Sequence, residues 1–347
     1  MFLRVPSREG EVLKAREVTP SIHRGHRFRK LIVALLIVSE LLTFSYASLS
    51  VYIATRVAYI PPKPITQTPA AYGLDYKNVS FPSRIDHLQL RGWFIPGVFP
   101  GGRLTADRTL ILVHGTHSNR AAPLILGVSA ALAKHGFAIL TFDMRGMGES
   151  APAPLSEGYF EQRDVSGAVD FLRSGSLPYP ELGRPRAIGA WGDSMGAATV
   201  LLAAAQEPAI QAIVSDSGFA AIVQLLESDS NIPFMFIPSV LVASRVLYGV
   251  DYYAVRPVDV VANIAPRPIF FIQGSVDTVV PPSNMKVLAA AASAASNAHI
   301  QTWLVAGADH IQSFHRMGDE YVNRVVTFFT KALGPDSSTV AWVPDRS

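Results

Sequence analysis

The sequence contains no cysteine among its 347 residues. This absence excludes disulfide bonds, thiolate metal sites and a cysteine nucleophile, and it leaves the redox compartment open. With 49% hydrophobic and 16% charged residues, the chain is long enough for one large domain with a substantial core and an appendage.

Excess positive charge is also missing from most of the chain. Residues 1–30 carry eight Lys/Arg and three Glu, a net charge of +5, so the other residues contribute −2 to the overall +3. The basic character therefore belongs to the N-terminal tail alone, and the sequence predicts no nucleic-acid partner.

Directly after this tail comes the longest apolar run of the chain, Leu31 to Ala54, with Glu40 as its one formal charge. Its 24 residues are enough to cross a hydrocarbon layer of ~30 Å. Basic residues cluster before the run and few follow it, which places the N-terminus in the cytoplasm. The sequence therefore predicts a cytoplasmic tail (1–30), one transmembrane helix (31–54) and an extracytoplasmic remainder.

Two alternatives compete with the transmembrane interpretation. A cleavable signal peptide would use Ser45-Tyr46-Ala47 as its cleavage site, but the polar leader of some thirty residues is long for one. A buried helix of a soluble domain is the other alternative, and the abrupt basic flank argues against it. An uncleaved membrane anchor is the favoured interpretation.

The rest of the chain predicts an α/β domain over residues 75–335. A proline-rich linker (55–74) precedes it, and residues 76–81 and 87–95 alternate like a hairpin. From Thr109, apolar runs alternate with helical stretches, which is typical of a parallel sheet. The predicted strands are Thr109–His114, Ala138–Asp143, Ala187–Trp191, Ala212–Asp216, Pro268–Gln273 and Gln301–Val305. The predicted helices are Ala121–His135, Tyr159–Arg173, Met195–Glu207, Pro282–Ala295 and Met317–Leu333. An apolar insertion (219–265) interrupts the alternation, and residues 336–347 form a tail.

The segment Arg186–Ala205 carries the strongest chemical signal. An apolar strand passes through Gly192-Asp193-Ser194-Met195-Gly196 into an alanine-rich helix. Small residues flank the serine because the turn is tight and the adjoining backbones pass close together. The pattern predicts that Ser194 stands at the end of its strand as a nucleophile.

Two further loops deliver polar side chains to the same edge of the predicted sheet. Asp277 follows Pro268–Gln273, and His310 follows Gln301–Val305. Ligands of open α/β sheets bind beyond the carboxyl ends of the strands. Ser194, Asp277 and His310 are therefore the predicted nucleophile, acid and base.

Each of these roles has a competitor in the sequence. Asp216, at the end of its own strand, competes with Asp277 as the acid. His299 and His315 compete with His310, which sits at the strand-end loop itself and is favoured. Asp309 is predicted to be a solvated or loop-capping residue rather than the triad acid.

An acyl-transfer site also needs two backbone N–H donors for the oxyanion. Met195, directly after the nucleophile, supplies one at the positive end of its helix. The other is predicted from Thr116, because Gly115 lets the backbone turn toward the site. His114 and His117 in this loop have no carboxylate partner at ligand spacing and form a weak metal signal.

Together, His114-Gly115, the segment from Asp143 to Ser150, Gly192–Gly196, Gly274–Asp277 and Asp309-His310 resemble the α/β-hydrolase superfamily over residues 75–333. Within it, the chain is similar to membrane-anchored serine hydrolases related to acylglycerol lipases, depalmitoylases and prolyl-oligopeptidase-type catalytic domains. The resemblance implies a mostly parallel doubly wound sheet, a Ser194–His310–Asp277 triad, a lid at about 219–265, and a structural role for the Asp143–Ser150 turn.

The expected function is hydrolysis of an ester or thioester with an apolar acyl group, because the lid run Ile232–Leu241 is apolar. The expected partners are this small-molecule or lipid substrate and the membrane. No cofactor or metal is expected. A serine peptidase is the alternative enzyme, with Glu227 and Asp229 as the visible lid carboxylates, and a non-catalytic receptor or scaffold that has kept the hydrolase fold is the alternative outside enzymes.

Overall fold

The computed structural model describes residues 22–229 and 232–336 and divides the chain into two compact units, residues 1–49 and 50–347. Most of the predicted basic tail and residues 337–347 of the predicted C-terminal tail lie outside the described residues. In the first unit, the described residues form one helix whose large apolar side chains are exposed, Leu42 by 66% and Phe44 by 72%. This helix is long and apolar enough to cross a membrane, although a signal sequence has the same properties.

The described helices and strands are as follows. The helices are α1 Ile22–Ala58, α2 Pro123–Ala133, α3 Glu161–Ser174, α4 Met195–Ala204, α5 Ile222–Asp229, α6 Ile237–Tyr248, α7 Pro257–Val260, α8 Ser283–Ala292, α9 Ser313–Met317 and α10 Asp319–Leu333. The strands are β1 Lys77–Pro82, β2 Gln89–Ile95, β3 Gly97–Val98, β4 Leu104–Thr105, β5 Arg108–Val113, β6 Ala138–Asp143, β7 Ala187–Asp193, β8 Ile210–Asp216, β9 Ile269–Gly274 and β10 Ile300–Val305.

Eight strands form one sheet in the order β1-β2-β6-β5-β7-β8-β9-β10. The predicted hairpin is confirmed: β1 and β2 pair antiparallel, and β2 pairs antiparallel with β6. All remaining neighbours are parallel. The central strands are buried on both faces, since α3, α4 and α8 pack on one face and α2 and α10 on the other. The predicted α/β fold with a doubly wound, mostly parallel sheet is confirmed.

Most predicted strands and helices differ from the observed ones by up to three residues at an end, and two predicted segments differ more substantially. The first helix continues to Ala58 instead of ending at Ala54, so the linker begins four residues later than predicted. The reason is packing, because Ala54 and Ala58 are buried within the second unit. The predicted helix Met317–Leu333 is two helices, which separate at Gly318 with φ +50°.

The predicted insertion contains α5, α6 and α7 with short 3₁₀ turns between them. It leaves the sheet after β8 and returns at β9, so it arises at the carboxyl end of the strands. The lid therefore stands on the same side of the sheet as the predicted site residues.

Candidate active site

Ser194 occupies a strained turn between β7 and α4. Its φ of +53° and ψ of −122° lie where side chains are rarely tolerated. Neither flanking glycine can be replaced: a Cβ on Gly192 would lie 2.4 Å from the Gly196 carbonyl oxygen, and one on Gly196 would lie 2.2 Å from that of Val113. The small residues of the sequence pattern therefore permit the close backbone approach that raises Ser194 above the sheet.

The structure brings Ser194, His310 and Asp277 into one hydrogen-bonded chain. His310 Nε2 lies 2.9 Å from Ser194 Oγ, and His310 Nδ1 lies 2.9 Å from Asp277 Oδ2 and 3.1 Å from Oδ1. A neutral imidazole that donates from Nδ1 to the carboxylate leaves Nε2 to accept the serine proton. This arrangement can turn Ser194 into a nucleophile.

Asp277 is held firmly behind the histidine. Its side chain is fully buried, and its Oδ1 accepts the backbone N–H of Val279 at 3.0 Å and of Val280 at 2.8 Å. Gln273 Nε2 donates a further hydrogen bond to Asp277 Oδ2 at 2.6 Å. These donors stabilise the charged carboxylate in a buried position.

Asp216, the competing acid, has different partners. Its carboxylate accepts the Tyr321 hydroxyl at 2.8 Å and the Ser217 hydroxyl at 2.9 Å. Ser217 Oγ in turn accepts the backbone N–H of Ile311, the residue after His310, at 3.2 Å. Burial raises the pKa of Asp216 to about 6. Asp216 thus supports the histidine loop from behind, while Asp277 contacts the imidazole.

The loop after β5 lies directly against the nucleophile. A Cβ on Gly115 would lie 3.0 Å from Ser194 Cβ, and the Gly115 N–H donates to Asp193 Oδ2 at 3.2 Å. The backbone N–H of Thr116 has no hydrogen-bond acceptor among residues 22–229 and 232–336. Met195 begins α4, where the first N–H groups of a helix lack intrahelical acceptors. The backbone N–H groups of Met195 and Thr116 therefore stay predictions as oxyanion donors.

Glu157 is a site residue that the sequence did not reveal. Both of its carboxylate oxygens accept a hydrogen bond from the Thr116 hydroxyl, at 3.0 and 3.2 Å. The backbone of Glu157 itself has a φ of +53°. In the described part of the chain no cation pairs with it. Burial, followed by the negative charge of Glu161, raises its pKa to about 7. No sequence motif connects residues 41 positions apart, so only the fold shows this contact.

The other predicted residues take structural positions. His114 is buried, and its Nε2 accepts the Met144 N–H at 3.1 Å. Asp143 binds the buried Arg120 and accepts the N–H of Glu149 at 2.8 Å, in agreement with a structural turn. Asp309 caps its loop by accepting the N–H groups of Thr278 and His310, as predicted.

The buried carboxyl of Asp193 predicts that the stability of the protein depends on pH. Burial, then the negative charge of Asp216, raises its pKa from 3.8 to about 7. The folded protein therefore binds this proton more tightly than the unfolded chain, and the free energy of unfolding falls as pH rises from about 4 to 7. At ~1.4 kcal/mol per pH unit, the loss amounts to at most about 4 kcal/mol.

The isosteric Asp193→Asn variant should remove this dependence. We expect its melting temperature to exceed that of the wild type by several degrees at pH 8 and to match it near pH 4. Asp309→Asn is the control with the opposite sign, because hydrogen bonds from Thr278 and His310 lower the pKa of Asp309. An equal Asp193→Asn shift at both pH values would contradict the prediction.

Known proteins resemble this chain in sequence and in fold. A family model described as the alpha/beta hydrolase fold matches residues 108–241. Uncharacterized protein YfhR of Salmonella typhi is 30% identical over 313 residues, which cover 86% of this chain and 96% of that protein. An esterase of Pyrococcus furiosus has a TM-score of 0.65 at 24% identity, over 80% of this chain and 99% of the esterase. An acylaminoacyl peptidase of Pyrococcus horikoshii has a TM-score of 0.59 at 17% identity, over 75% of this chain and 42% of the peptidase.

Proposed function

The chain belongs to the α/β-hydrolase family, and we propose that it is a serine hydrolase that cleaves carboxylic ester or thioester bonds through an acyl-enzyme on Ser194. The observation that carries the proposal is the hydrogen-bonded chain from Ser194 Oγ through His310 to the buried Asp277.

The proposed reaction proceeds in two halves. Ser194 Oγ attacks the acyl carbonyl while His310 Nε2 takes its proton, and Asp277 stabilises the resulting imidazolium. The N–H groups of Met195 and Thr116 hold the oxyanion, each contributing on the order of 10²–10³ in rate. His310 then protonates the leaving group and activates the water that releases the acid.

Thr116 offers a test of the oxyanion loop. Thr116→Val keeps the side-chain shape but removes the hydroxyl that binds Glu157, so the loop loses its anchor. We expect kcat/KM to fall by about tenfold, the effect of one hydrogen bond to a charged group, with KM nearly unchanged. Glu157→Gln should be milder, and the double variant should be no worse than Thr116→Val alone. Unchanged kcat in Thr116→Val would exclude a positioning role for this contact.

The apolar lid favours an apolar acyl group. The lid run Ile232–Leu241 is apolar and lies on the side of the sheet that carries Ser194. We expect kcat/KM to rise with acyl chain length in a series of p-nitrophenyl esters from acetate to dodecanoate. Equal kcat/KM at all chain lengths would contradict the proposed preference for an apolar acyl group, but it would not contradict the proposal that the protein is a serine hydrolase.

Peptide hydrolysis is a second candidate, because Glu157 places an unpaired carboxylate beside the oxyanion loop within the described residues. Such a group could receive the ammonium of an aminoacyl substrate. Aminoacyl amides compared with acyl esters, in the wild type and in Glu157→Gln, distinguish the two. A selective loss of amide hydrolysis in the variant would favour the peptidase.

We further propose a single-pass membrane protein with a cytoplasmic N-terminus and an extracytoplasmic hydrolase domain. The exposed apolar side chains of α1 and the basic residues before it support this orientation. The same exposed side chains disfavour the alternative of a buried core helix.

A further inference from the structure

Helix α6 of the lid has one buried and one exposed apolar face. Val240 and Leu241 are buried, whereas Val242 is exposed by 62% and Val246 by 76%. Phe234, in the 3₁₀ turn Phe234–Phe236 that precedes the helix, is exposed by 79%. Apolar side chains grouped in this way indicate an interaction surface.

The buried face of α6 packs against the last turns of α1. Ala54 is buried against Val240 and Ala243. Two hydrogen bonds accompany this packing: Ser50 Oγ lies 2.8 Å from Ser239 Oγ, and Thr55 Oγ1 lies 2.7 Å from the Tyr248 hydroxyl. The end of α1 is thus part of the lid structure.

These two hydrogen bonds also fix the direction of α6. Ser50 precedes Thr55 in α1, and their partners Ser239 and Tyr248 follow each other in the same order in α6. The two helices therefore run in the same direction. Ser50 precedes Ala54, the predicted end of the membrane span, by about 6 Å of helix. The N-terminal end of α6 and the Phe234–Phe236 turn before it therefore point back toward the membrane.

We propose that the Phe234–Phe236 turn and the first turn of α6 insert into the lipid bilayer where α1 leaves it. This inference rests on the membrane anchoring proposed above. A bilayer is the favoured occupant because Val51 and Tyr52, on the adjoining turn of α1, are exposed by 42% and 62%. Amphipathic segments with aromatic side chains commonly lie about 5–10 Å deep in the interface.

The one charged side chain of α6 lies at the end of the helix away from Phe234. Phe234 lies at the membrane end, whereas the exposed Arg245 pairs with Asp251 at the opposite end. A lid placed in this way meets lipid acyl chains on the side of the sheet that carries Ser194. The substrate class that fits is an acyl ester or thioester that resides in the bilayer.

The absence of cysteine allows a clean test with single-cysteine variants of the full chain. Phe234→Cys would carry an NBD fluorophore in phosphatidylcholine vesicles, with or without lipids bearing a nitroxide on the acyl chain. We expect a blue-shifted emission and loss of most of the fluorescence to the nitroxide. Leu42→Cys, within the predicted span, is the positive control. Leu304→Cys is the negative control, because β10 is the far edge strand and Leu304 is 44% exposed.

The controls separate the possible failures. Quenching at residue 42 without quenching at residue 234 would overturn the insertion of the lid alone. Quenching at neither position would overturn both the insertion of the lid and the membrane anchor. A blue shift at residue 234 without lipid quenching would show that protein, such as a second copy, covers the turn, and would also overturn the proposal. Fluorophosphonate labelling of Ser194 in the same samples checks folding and tests the hydrolase proposal separately.

Activity provides a second measurement. Phe234→Asp should lower hydrolysis of a long-chain ester held in vesicles by about tenfold, as expected for losing burial of one large apolar side chain. Hydrolysis of a soluble acetate ester should be unchanged, because the hydrogen bonds of the triad join Ser194, His310 and Asp277 to one another and do not involve Phe234. An equal loss on both substrates would contradict membrane insertion.

Discussion

Ser194→Ala is expected to abolish covalent labelling by a fluorophosphonate and to lower ester hydrolysis by about 10⁶-fold, the cost of removing a triad nucleophile. Labelling requires a hydroxyl whose proton a neighbouring base can take, and Ser194 Oγ lies 2.9 Å from His310 Nε2. The measurement is gel fluorescence of the labelled full-length protein, followed by identification of the modified peptide by mass spectrometry.

Ser275→Ala is the matched control for this experiment. Ser275 also lies in a strand-end loop at the same edge of the sheet, but its hydroxyl accepts the backbone N–H of Gly307. Labelling of Ser275→Ala should equal that of the wild type. Labelling that persists in Ser194→Ala would contradict the proposed nucleophile, and a wild-type protein that takes up no probe would favour the non-catalytic scaffold.

The second large effect is expected at the acid. Asp277→Asn should lower kcat by about 10⁴-fold, because an amide can donate to His310 Nδ1 and force the proton onto Nε2. An imidazole in that tautomer cannot accept the proton of Ser194. The pre-steady-state rate of fluorophosphonate labelling measures this loss without a known substrate.

Asp216→Asn is the comparison that decides between the two acids. Its partners are the hydroxyls of Tyr321 and Ser217, not the imidazole. An asparagine keeps an acceptor for one of these two hydroxyls, so we expect kcat within about tenfold of the wild type. Loss of labelling in Asp216→Asn with retention in Asp277→Asn would reverse the assignment.

The sequence predicted the sheet well because its signals are local. Apolar runs such as Ala138–Asp143 are buried on both faces, and the observed strand has the predicted bounds. The sequence could not decide between Asp216 and Asp277 with certainty, because β8 and β9 are neighbours and both residues reach the same edge. The distinction depends on which carboxylate faces His310, a property of side-chain direction that periodicity does not contain.

Long-range contacts explain what the sequence left out. The hydrogen bond between Thr116 and Glu157 joins two loops. Glu157 has a positive φ although it is not a glycine, so the sequence does not indicate this conformation. The end of α1 was also misplaced for this reason. An apolar span and a buried helix turn have the same composition, so only the burial of Ala54 and Ala58 within the second unit shows that this part of α1 packs against protein.

This dual role of the end of α1 has a consequence for proteolytic processing. Cleavage after Ala47 would leave Ser50–Ala58 attached to the hydrolase domain, including the bond from the Leu155 N–H to the Ala58 carbonyl oxygen at 2.8 Å. Cleavage after Ala58 would instead strip the buried side of α6. A soluble form shed at the first position would keep an intact lid, whereas a form trimmed at the second would lose its support. The part of α1 between Ala47 and Ala58 therefore separates a cleavage site that leaves the lid intact from one that removes the support of the lid.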